Sequence, residues 1–394
     1  MTLRELAAYE RLPLPVARAE GCELVLEDGR RVLDLYGGHC VNSLGAGDAA
    51  LANAIAAQWR KLSFTTNLLD HAPRREFLAT FERNLPASRD ASGWEIFCSN
   101  SGAEANENAI KLALAATGRR KVVAFRGAFH GRTAAASAVT DRADTGFPQA
   151  PFDVLRLPWS EPLAAARTID ASVGCVILEP IQSLAGVTEP GPGFLETLRV
   201  ACDRVGALLC FDEVQTGNGR LGTPWASQHF GIVPDLFTTA KGAAGGLPIG
   251  LTVARADVAQ SVPGKLFGST FGGGPLVLAA AAEVARRIAS PGFLENVRDA
   301  SAALREAALR GSLVPPQERG AGAVAAVRGA GLLLGLVLAE GVSARTLRDR
   351  LLERGILVGT SDDPRVLRLS PPLTIEPRRA AKLAEALASS EVLV

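Results

Sequence analysis

The segment Ala207-Leu208-Leu209-Cys210-Phe211-Asp212-Glu213-Val214-Gln215 joins an apolar run to a group of polar residues. A short apolar run of this kind predicts a buried strand, which is typical of parallel sheets. Similar runs alternate with helical patterns from about residue 94 onward. The sequence therefore predicts an α/β fold with a mainly parallel central sheet covered by helices. We expect strands at 94–98, 121–125, 173–178, 207–211 and 247–253, and helices at 103–117 and 194–205.

Polar clusters follow four of the predicted strands along the chain. They lie at residues 99–102, 129–132, 179–182 and 212–215. Ligands of open α/β sheets bind outside the carboxyl ends of the strands. We therefore expect one site to collect all four clusters.

The two ends of the chain differ from its middle in their pattern of apolar and turn residues. A turn at Asp28-Gly29-Arg30 between apolar alternations predicts a small hairpin, and an Ala-rich helical pattern begins after about residue 275. We predict three parts: an N-terminal segment of a small domain (1–49), a large cofactor-binding domain (50–275) and the C-terminal part of the small domain (276–394).

Composition excludes several classes of function. The 42 basic and 41 acidic residues nearly cancel and form no basic stripe, which disfavours binding to nucleic acid or to an anionic membrane. Six scattered cysteines without CxxC spacing indicate reduced, buried thiols and no metal site. The first residues carry acids and no apolar signal segment, and no apolar run is long enough to span a membrane. These features predict a cytoplasmic protein.

Lys241 and Asp212 indicate the chemistry of the site. Lys241 stands among threonine, alanine and glycine residues with no neighbouring acid, and Asp212 ends an apolar strand. A lysine amine that can be neutral forms a Schiff base with an aldehyde, and a buried carboxylate can keep a pyridine nitrogen protonated. The pair therefore predicts a pyridoxal 5′-phosphate site. The alternatives are a surface lysine and a structural ion pair between Asp212 and an arginine.

Other clusters supply the remaining parts of such a site. The turn 99–102 before a helix offers free backbone N–H groups to a phosphate, although an ordinary N-capping turn would look the same. Phe129 could stack on the cofactor ring and Arg132 could hold a substrate carboxylate, and we favour these roles over the alternative of a core phenylalanine and a solvated arginine. His130 alone is more typical of a core residue. Gln215 could reach the ring hydroxyl, and Thr270 the phosphate.

Together these motifs resemble the class III aminotransferases of pyridoxal phosphate fold type I, of the ornithine and acetylornithine type. Ser-Gly-Ala-Glu-Ala-Asn, Phe-His-Gly-Arg-Thr and Asp-Glu-Val-Gln-Thr-Gly occur in the order typical of that family, over essentially the whole chain. The resemblance implies a homodimer with sites at the subunit interface. It also implies Lys241 as the Schiff-base lysine, Asp212 on the pyridine nitrogen, Phe129 and Val214 on the two ring faces, Ser101, Gly102 and Ala103 on the phosphate, and Thr270 reaching the phosphate across the dimer.

The same resemblance bears on the substrates. Arg132 would bind the distal carboxylate and Arg368 the α-carboxylate of glutamate or 2-oxoglutarate. Gly38 aligns with a tyrosine of ornithine aminotransferases, which favours an N-acylated diamino acid, with N-acetylornithine the best candidate. Leu184 departs from the family, because a gating glutamate that pairs with the arginine equivalent to Arg368 usually stands there. Succinylornithine, ornithine, 4-aminobutyrate, a lysine derivative, an aminomutase reaction and a cofactor-binding protein without catalysis remain alternatives.

Overall fold

A seven-stranded sheet lies at the centre of the computed structural model, which describes residues 3, 6, 8, 10–89, 92–141, 147, 152–310 and 323–388. Its strand order is β4-β10-β9-β8-β7-β5-β6. The strands of the described chain are β1 (Val16–Glu20), β2 (Glu23–Leu26), β3 (Arg31–Asp34), β4 (Trp94–Ser99), β5 (Lys121–Phe125), β6 (Asp153–Leu157), β7 (Val173–Leu178), β8 (Leu208–Asp212), β9 (Leu236–Thr239), β10 (Gly250–Arg255), β11 (Val324–Ala330), β12 (Leu333–Leu338), β13 (Ile356–Leu357), β14 (Gly359–Thr360) and β15 (Val366–Leu369).

The predicted mainly parallel arrangement of the central sheet is confirmed. Strands β9, β8, β7, β5 and β6 pair in parallel, and β10 pairs antiparallel with both β9 and β4. Strand β10 is therefore the one reversed strand of this sheet. The carboxyl ends of β5, β7, β8 and β9 consequently lie at one edge, where the polar clusters follow them.

Helices cover this sheet and connect its strands. Helix α4 contacts β7, β8, β9 and β10, and it packs beside α5 and α9. The helices are α1 (Gly37–Cys40), α2 (Ala49–Lys61), α3 (Ala72–Glu82), α4 (Gly102–Thr117), α5 (Ala134–Val139), α6 (Pro162–Thr168), α7 (Phe194–Val205), α8 (Ala226–Phe230), α9 (Ala256–Gln260), α10 (Pro275–Ile288), α11 (Phe293–Arg310), α12 (Ala344–Glu353) and α13 (Ala380–Ala388), with short 3-10 turns at Lys241–Ala244, Gly264–Leu266 and Pro377–Arg379.

Two smaller sheets lie outside the central one. The first has the order β1-β2-β3-β13, so the parallel pair of β3 and β13 joins an early segment of the chain to a late one. The predicted hairpin at Asp28-Gly29-Arg30 is the turn between the antiparallel strands β2 and β3. The second small sheet has the order β11-β12-β15-β14. The three-part division at residues 49 and 275 stays a prediction, and parts of its two ends lie outside the described residues.

The core follows from the apolar strands. Every residue of β7 is buried, as is every residue of β9. All six cysteines are free: Cys40, Cys175, Cys202 and Cys210 are buried and the other two are half-buried. Burial raises the pKa of the Cys202 thiol to about 12, so this thiol stays protonated and packs as a small apolar group. None of the described helices is long and apolar enough to cross a membrane.

Candidate active site

A cavity of about 470 Å³ opens at the carboxyl ends of the parallel strands. It is lined by residues that follow β4, β5, β7, β8 and β9, so the polar clusters of the sequence meet there as predicted. Nine of the eleven predicted site residues line it, and Thr270 and Arg368 do not. The nine are Ser101, Gly102, Ala103, Phe129, Arg132, Asp212, Val214, Gln215 and Lys241.

Lys241 lies in a strained turn at the wall of this cavity. Its backbone has a φ of 38°, which lies in a region of the Ramachandran plot that residues other than glycine rarely occupy. Strained conformations of this kind are concentrated at functional sites. Burial lowers the pKa of its amine, and Arg368 acts in the same direction, whereas Asp212 and Glu179 oppose the shift. The amine is therefore easier to deprotonate than that of a surface lysine, as a nucleophilic lysine requires.

Asp212 is the last residue of β8, and only 4% of it is exposed. Its Oδ2 accepts hydrogen bonds from Asn106 Nδ2 at 2.7 Å and from His130 Nδ1 at 2.8 Å. Its Oδ1 accepts a hydrogen bond from the backbone N–H of Val214 at 3.1 Å. These bonds fix the orientation of the carboxylate at the cavity wall, where a cationic ligand nitrogen would compensate its buried charge.

The sequence did not indicate the residues that support Asp212. His130 is buried, as predicted for a core residue, but its Nδ1 contacts the carboxylate and its Nε2 has no partner among the described residues. Asn106 also donates to the His130 carbonyl at 2.7 Å and accepts from Thr238 Oγ1 at 2.5 Å. The signal that could have identified Asn106 is an amide on the inner face of α4, where an apolar residue is expected.

The start of α4 provides a site for an anion. Ser101 is its N-cap and accepts a hydrogen bond from the Glu104 N–H at 3.2 Å, while Glu104 Oε2 accepts one from the Asn100 N–H at 2.8 Å. The N-capping alternative is therefore correct for this turn, but it leaves the backbone N–H groups of Gly102 and Ala103 without a hydrogen-bond partner among the described residues. Both residues line the cavity at the positive end of a 16-residue helix, so a phosphate fits there.

Phe129 and Arg132 lie together in the cavity wall. The Arg132 guanidinium carbon lies 5.5 Å from the centroid of the Phe129 ring, and Arg132 is exposed. The Phe129 N–H donates to Glu179 Oε1 at 2.9 Å, which holds this loop against the end of β7. Burial, followed by the charge of Asp212, raises the pKa of Glu179 to about 7. Gly131 has a φ of 134°, and a Cβ there would lie 2.6 Å from the Cβ of Ala103.

Arg368 lies on β15, buried beside the cavity rather than in its wall. Its Nη1 donates to Ser183 Oγ at 3.1 Å, and Ser183 Oγ donates to Gln215 Oε1 at 3.1 Å. Its Nη2 donates to the Tyr36 hydroxyl at 2.8 Å, and its Nε to the Thr360 carbonyl at 2.7 Å. It forms no ion pair with an acid of the described chain, which agrees with Leu184 standing where a gating glutamate was expected.

Thr270 lies apart from this cavity. It is exposed in a loop where Asn67 Nδ2 donates to the Ser269 carbonyl at 2.8 Å and to the Gly272 carbonyl at 2.9 Å. Its neighbour Ser269 accepts a hydrogen bond from Asn100 in the cavity wall at 3.3 Å, and the resemblance assigns the phosphate contact of Thr270 to the site of a second chain. That role stays a prediction.

The fold and this cavity define a pyridoxal phosphate enzyme of fold type I. The family model for class III aminotransferases matches residues 6–390, and the chain belongs to that family. It is a pyridoxal phosphate-dependent aminotransferase.

Named relatives and solved structures agree with this class. The acetylornithine aminotransferase of Streptomyces coelicolor is 42% identical over 92% of this chain and 87% of the relative, and that of Mycobacterium bovis is 39% identical over 93% and 89%. The structure of N-acetylornithine aminotransferase from Stenotrophomonas maltophilia matches with a TM-score of 0.80 at 32% identity, over 96% of this chain and 95% of that one. The ornithine aminotransferase of Toxoplasma gondii matches with a TM-score of 0.87 at 25% identity, over 98% and 93%.

Proposed function

We propose that this aminotransferase moves the ω-amino group of an N-acylated diamino acid, with N-acetylornithine the best candidate, to 2-oxoglutarate, and releases a semialdehyde and glutamate. The observation that carries the proposal is the cavity that Lys241, Asp212 and Arg132 line together, beside the buried Arg368. It combines a lysine amine of lowered pKa with two arginines suited to carboxylates.

The residues of the cavity fit pyridoxal phosphate. The unpartnered N–H groups at the start of α4 would hold the phosphate, and the oriented carboxylate of Asp212 would pair with the pyridine nitrogen. Phe129 and Val214 would cover the two faces of the ring. When bound, the cofactor supplies an electron-withdrawing system for the carbon that carries the transferred amine.

Lys241 would act as the base of the reaction. Its neutral Nζ would take the proton from the donor carbon that bears the ω-amine, and it would hold this proton for return within the same turnover. The lowered pKa of the amine supports this role, because a protonated ammonium cannot accept a proton.

Arg368 would bind the α-carboxylate of the oxo-acid acceptor. A guanidinium has five N–H donors, and the structure gives three of them partners: Thr360, Ser183 and Tyr36. One N–H of each terminal nitrogen is therefore left to donate to a carboxylate. Arg132, exposed in the cavity wall, would bind the distal carboxylate.

An N-acyl group on the donor is supported by the space at Gly38. No atom lies within 4 Å of the position that a Cβ of this residue would take. The relatives named acetylornithine aminotransferase, at 37–42% identity over most of the chain, support the same donor. Ornithine remains the second candidate, because the Toxoplasma gondii structure of that name has the same fold.

We further propose that the enzyme works as a homodimer. Trp59, Phe64, Leu68, Leu69 and Phe271 expose between 44% and 91% of their surface and form what we call the apolar patch. A cavity of about 560 Å³ at this patch shares Asn100, Leu247 and Pro248 with the candidate active site. A second copy of the chain seated there would bury the patch and bring Thr270 toward the partner's site.

The reaction itself is tested by its products. Purified enzyme given N-acetylornithine and 2-oxoglutarate should form glutamate and semialdehyde in equal amounts. Formation of neither product, with pyridoxal phosphate bound and an alternative donor accepted, would overturn the choice of donor.

A further inference from the structure

A chain of hydrogen bonds links Arg368 to His39, close to the cavity that Val41 lines. Arg368 Nη2 donates to the Tyr36 hydroxyl oxygen at 2.8 Å, and that hydroxyl lies 2.6 Å from His39 Nδ1. The Arg368 guanidinium also lies 5.4 Å from the centroid of the Tyr36 ring, and the Tyr36 and His39 rings lie 4.6 Å apart. The three side chains therefore form one packed group.

The donors and acceptors of this group fix the tautomer of His39. Arg368 can only donate, so the Tyr36 oxygen accepts from it and the single Tyr36 hydroxyl proton is left to donate. His39 Nδ1 is the acceptor within reach. The proton of the neutral imidazole then lies on Nε2, for which the described residues offer no hydrogen-bond partner, and His39 is exposed.

The backbone that presents His39 is strained. All four residues of α1 have a positive φ, with values of 55° at Gly37, 58° at Gly38, 61° at His39 and 68° at Cys40. A left-handed turn of this kind costs free energy at residues with a Cβ. It is held by Asp34, whose Oδ1 accepts hydrogen bonds from the Tyr36 and Gly37 N–H groups at 2.9 and 2.8 Å.

The electrostatic surroundings of His39 keep it neutral. His39 reaches the surface but its imidazole is partly buried, and this partial burial, followed by the positive charges of Arg368, Lys241 and Arg132, lowers its pKa to about 4. Near neutral pH the imidazole is thus an uncharged donor placed near the three cationic side chains that surround the substrate. A donor that remains neutral can bind an oxygen without adding a fourth positive charge to the site.

We propose that His39 is a specificity-determining residue, whose Nε2–H binds the same acceptor carboxylate as Arg368. This inference rests on the proposed function. Tyr36 is a positioning residue, because its hydroxyl holds both donors and sets the tautomer of His39. Neutral hydroxyls of Tyr36 and Ser183 thus surround Arg368, so a carboxylate need not displace an acid to reach it.

The test separates the two half-reactions of the holoenzyme. In H39A, the KM for 2-oxoglutarate should rise about tenfold, which corresponds to about 1.4 kcal/mol for one lost hydrogen bond to a charged group. The rate at which the ω-amine donor converts the cofactor should change less than twofold. Glutarate, a dicarboxylate without the oxo group, should bind H39A about tenfold more weakly in a spectral titration. H39Q, which keeps a side-chain N–H donor, should recover part of the loss.

A matched control is H229A, which removes an exposed histidine at the end of α8 and should leave all these constants unchanged. Y36F should raise the KM for 2-oxoglutarate without changing the visible spectrum of the bound cofactor. Unchanged KM and unchanged glutarate binding in H39A would overturn the inference. A wild-type enzyme that does not use 2-oxoglutarate would instead overturn the proposed function, so the two failures are distinguishable.

Discussion

At the residue scale, the surroundings of Lys241 lower the pKa of its amine. Lys241 combines a backbone φ of 38° with a pKa lowered by burial, and its side chain faces the same cavity as Asp212. A surface lysine has neither property. Strain and a shifted pKa at one position, in a cavity with convergent polar groups, are typical of a functional residue.

We expect K241A to lose both the visible absorbance of lysine-bound pyridoxal phosphate and at least 99.9% of turnover, because no other described lysine lines the cavity. Absorbance spectra and a glutamate assay measure the two effects. K111A, which removes an exposed lysine from α4, is the matched control and should match the wild type. Full turnover by K241A would contradict the role given to this residue.

The sequence predicted the chemistry-bearing residues better than their partners. Asp212 ends an apolar run, and Lys241 stands among small residues without a neighbouring acid, so the local sequence indicated both. Their partners come from distant segments: His130 contacts Asp212, and Tyr36 contacts Arg368, across 82 and 332 positions of the chain. Local periodicity and spacing cannot predict such contacts, because the residues come together only when the chain folds.

At the element scale, buried apolar strands were predictable from the sequence, whereas strands that contain charged residues or threonines were missed. Strands β5 and β7 begin and end at the predicted residues. The prediction missed β6, an edge strand that carries Asp153 and Arg156, and it missed β9, whose two threonines resemble loop residues. Both threonines of β9 are buried and hydrogen-bonded, with Thr238 bonding Asn106 and Thr239 bonding Asn218.

Glu213, which holds the start of α8, makes the free energy of unfolding depend on pH. Its carboxylate accepts hydrogen bonds from the Ala226 and Ser227 N–H groups at 2.6 and 3.1 Å, at the start of α8. Burial raises its pKa from 4.5 to about 7. The folded chain thus holds this proton more tightly than the unfolded chain, so the group's contribution to stability is full below pH 4.5 and is lost as pH rises through about 7.

The free energy of unfolding of the wild type should fall between pH 5 and pH 8. In E213Q we expect this fall to be smaller by about 1 to 3 kcal/mol. Urea unfolding of the apoprotein, at one protein concentration, measures the difference. E353Q, at the exposed end of α12, should keep the wild-type dependence. An E213Q profile that parallels the wild type would show that another group causes the dependence.

At the scale of the whole molecule, the proposed homodimer rests on the apolar patch. Exposed aromatic and leucine side chains that adjoin a binding cavity are typical of an interface. Phe64 and Phe271 contact each other with ring centroids 5.6 Å apart, and Asn67 ties their two segments together. The patch is therefore an ordered surface on which a second copy of the chain can pack.

We expect F271D to form monomers at micromolar concentration, because a buried charge without a partner costs several kcal/mol at an interface. It should also hold pyridoxal phosphate more weakly, since Thr270 lies beside it. Sedimentation measures the first effect and dialysis against buffer the second. L163D, which alters an exposed leucine outside the patch, should behave as the wild type. A wild-type protein that sediments as a monomer would contradict the proposed homodimer.

The proposed function requires that the cavity select an N-acylated diamino acid and react with its ω-amine. The most direct measurement is a side-by-side comparison of donor half-reactions, in which the cofactor spectrum of the wild-type enzyme is followed with N-acetylornithine, ornithine, 4-aminobutyrate and an N-acyl lysine. We predict the highest kcat/KM for N-acetylornithine, with ornithine at least tenfold lower because it lacks the acyl group. A higher kcat/KM for ornithine or 4-aminobutyrate would contradict the account.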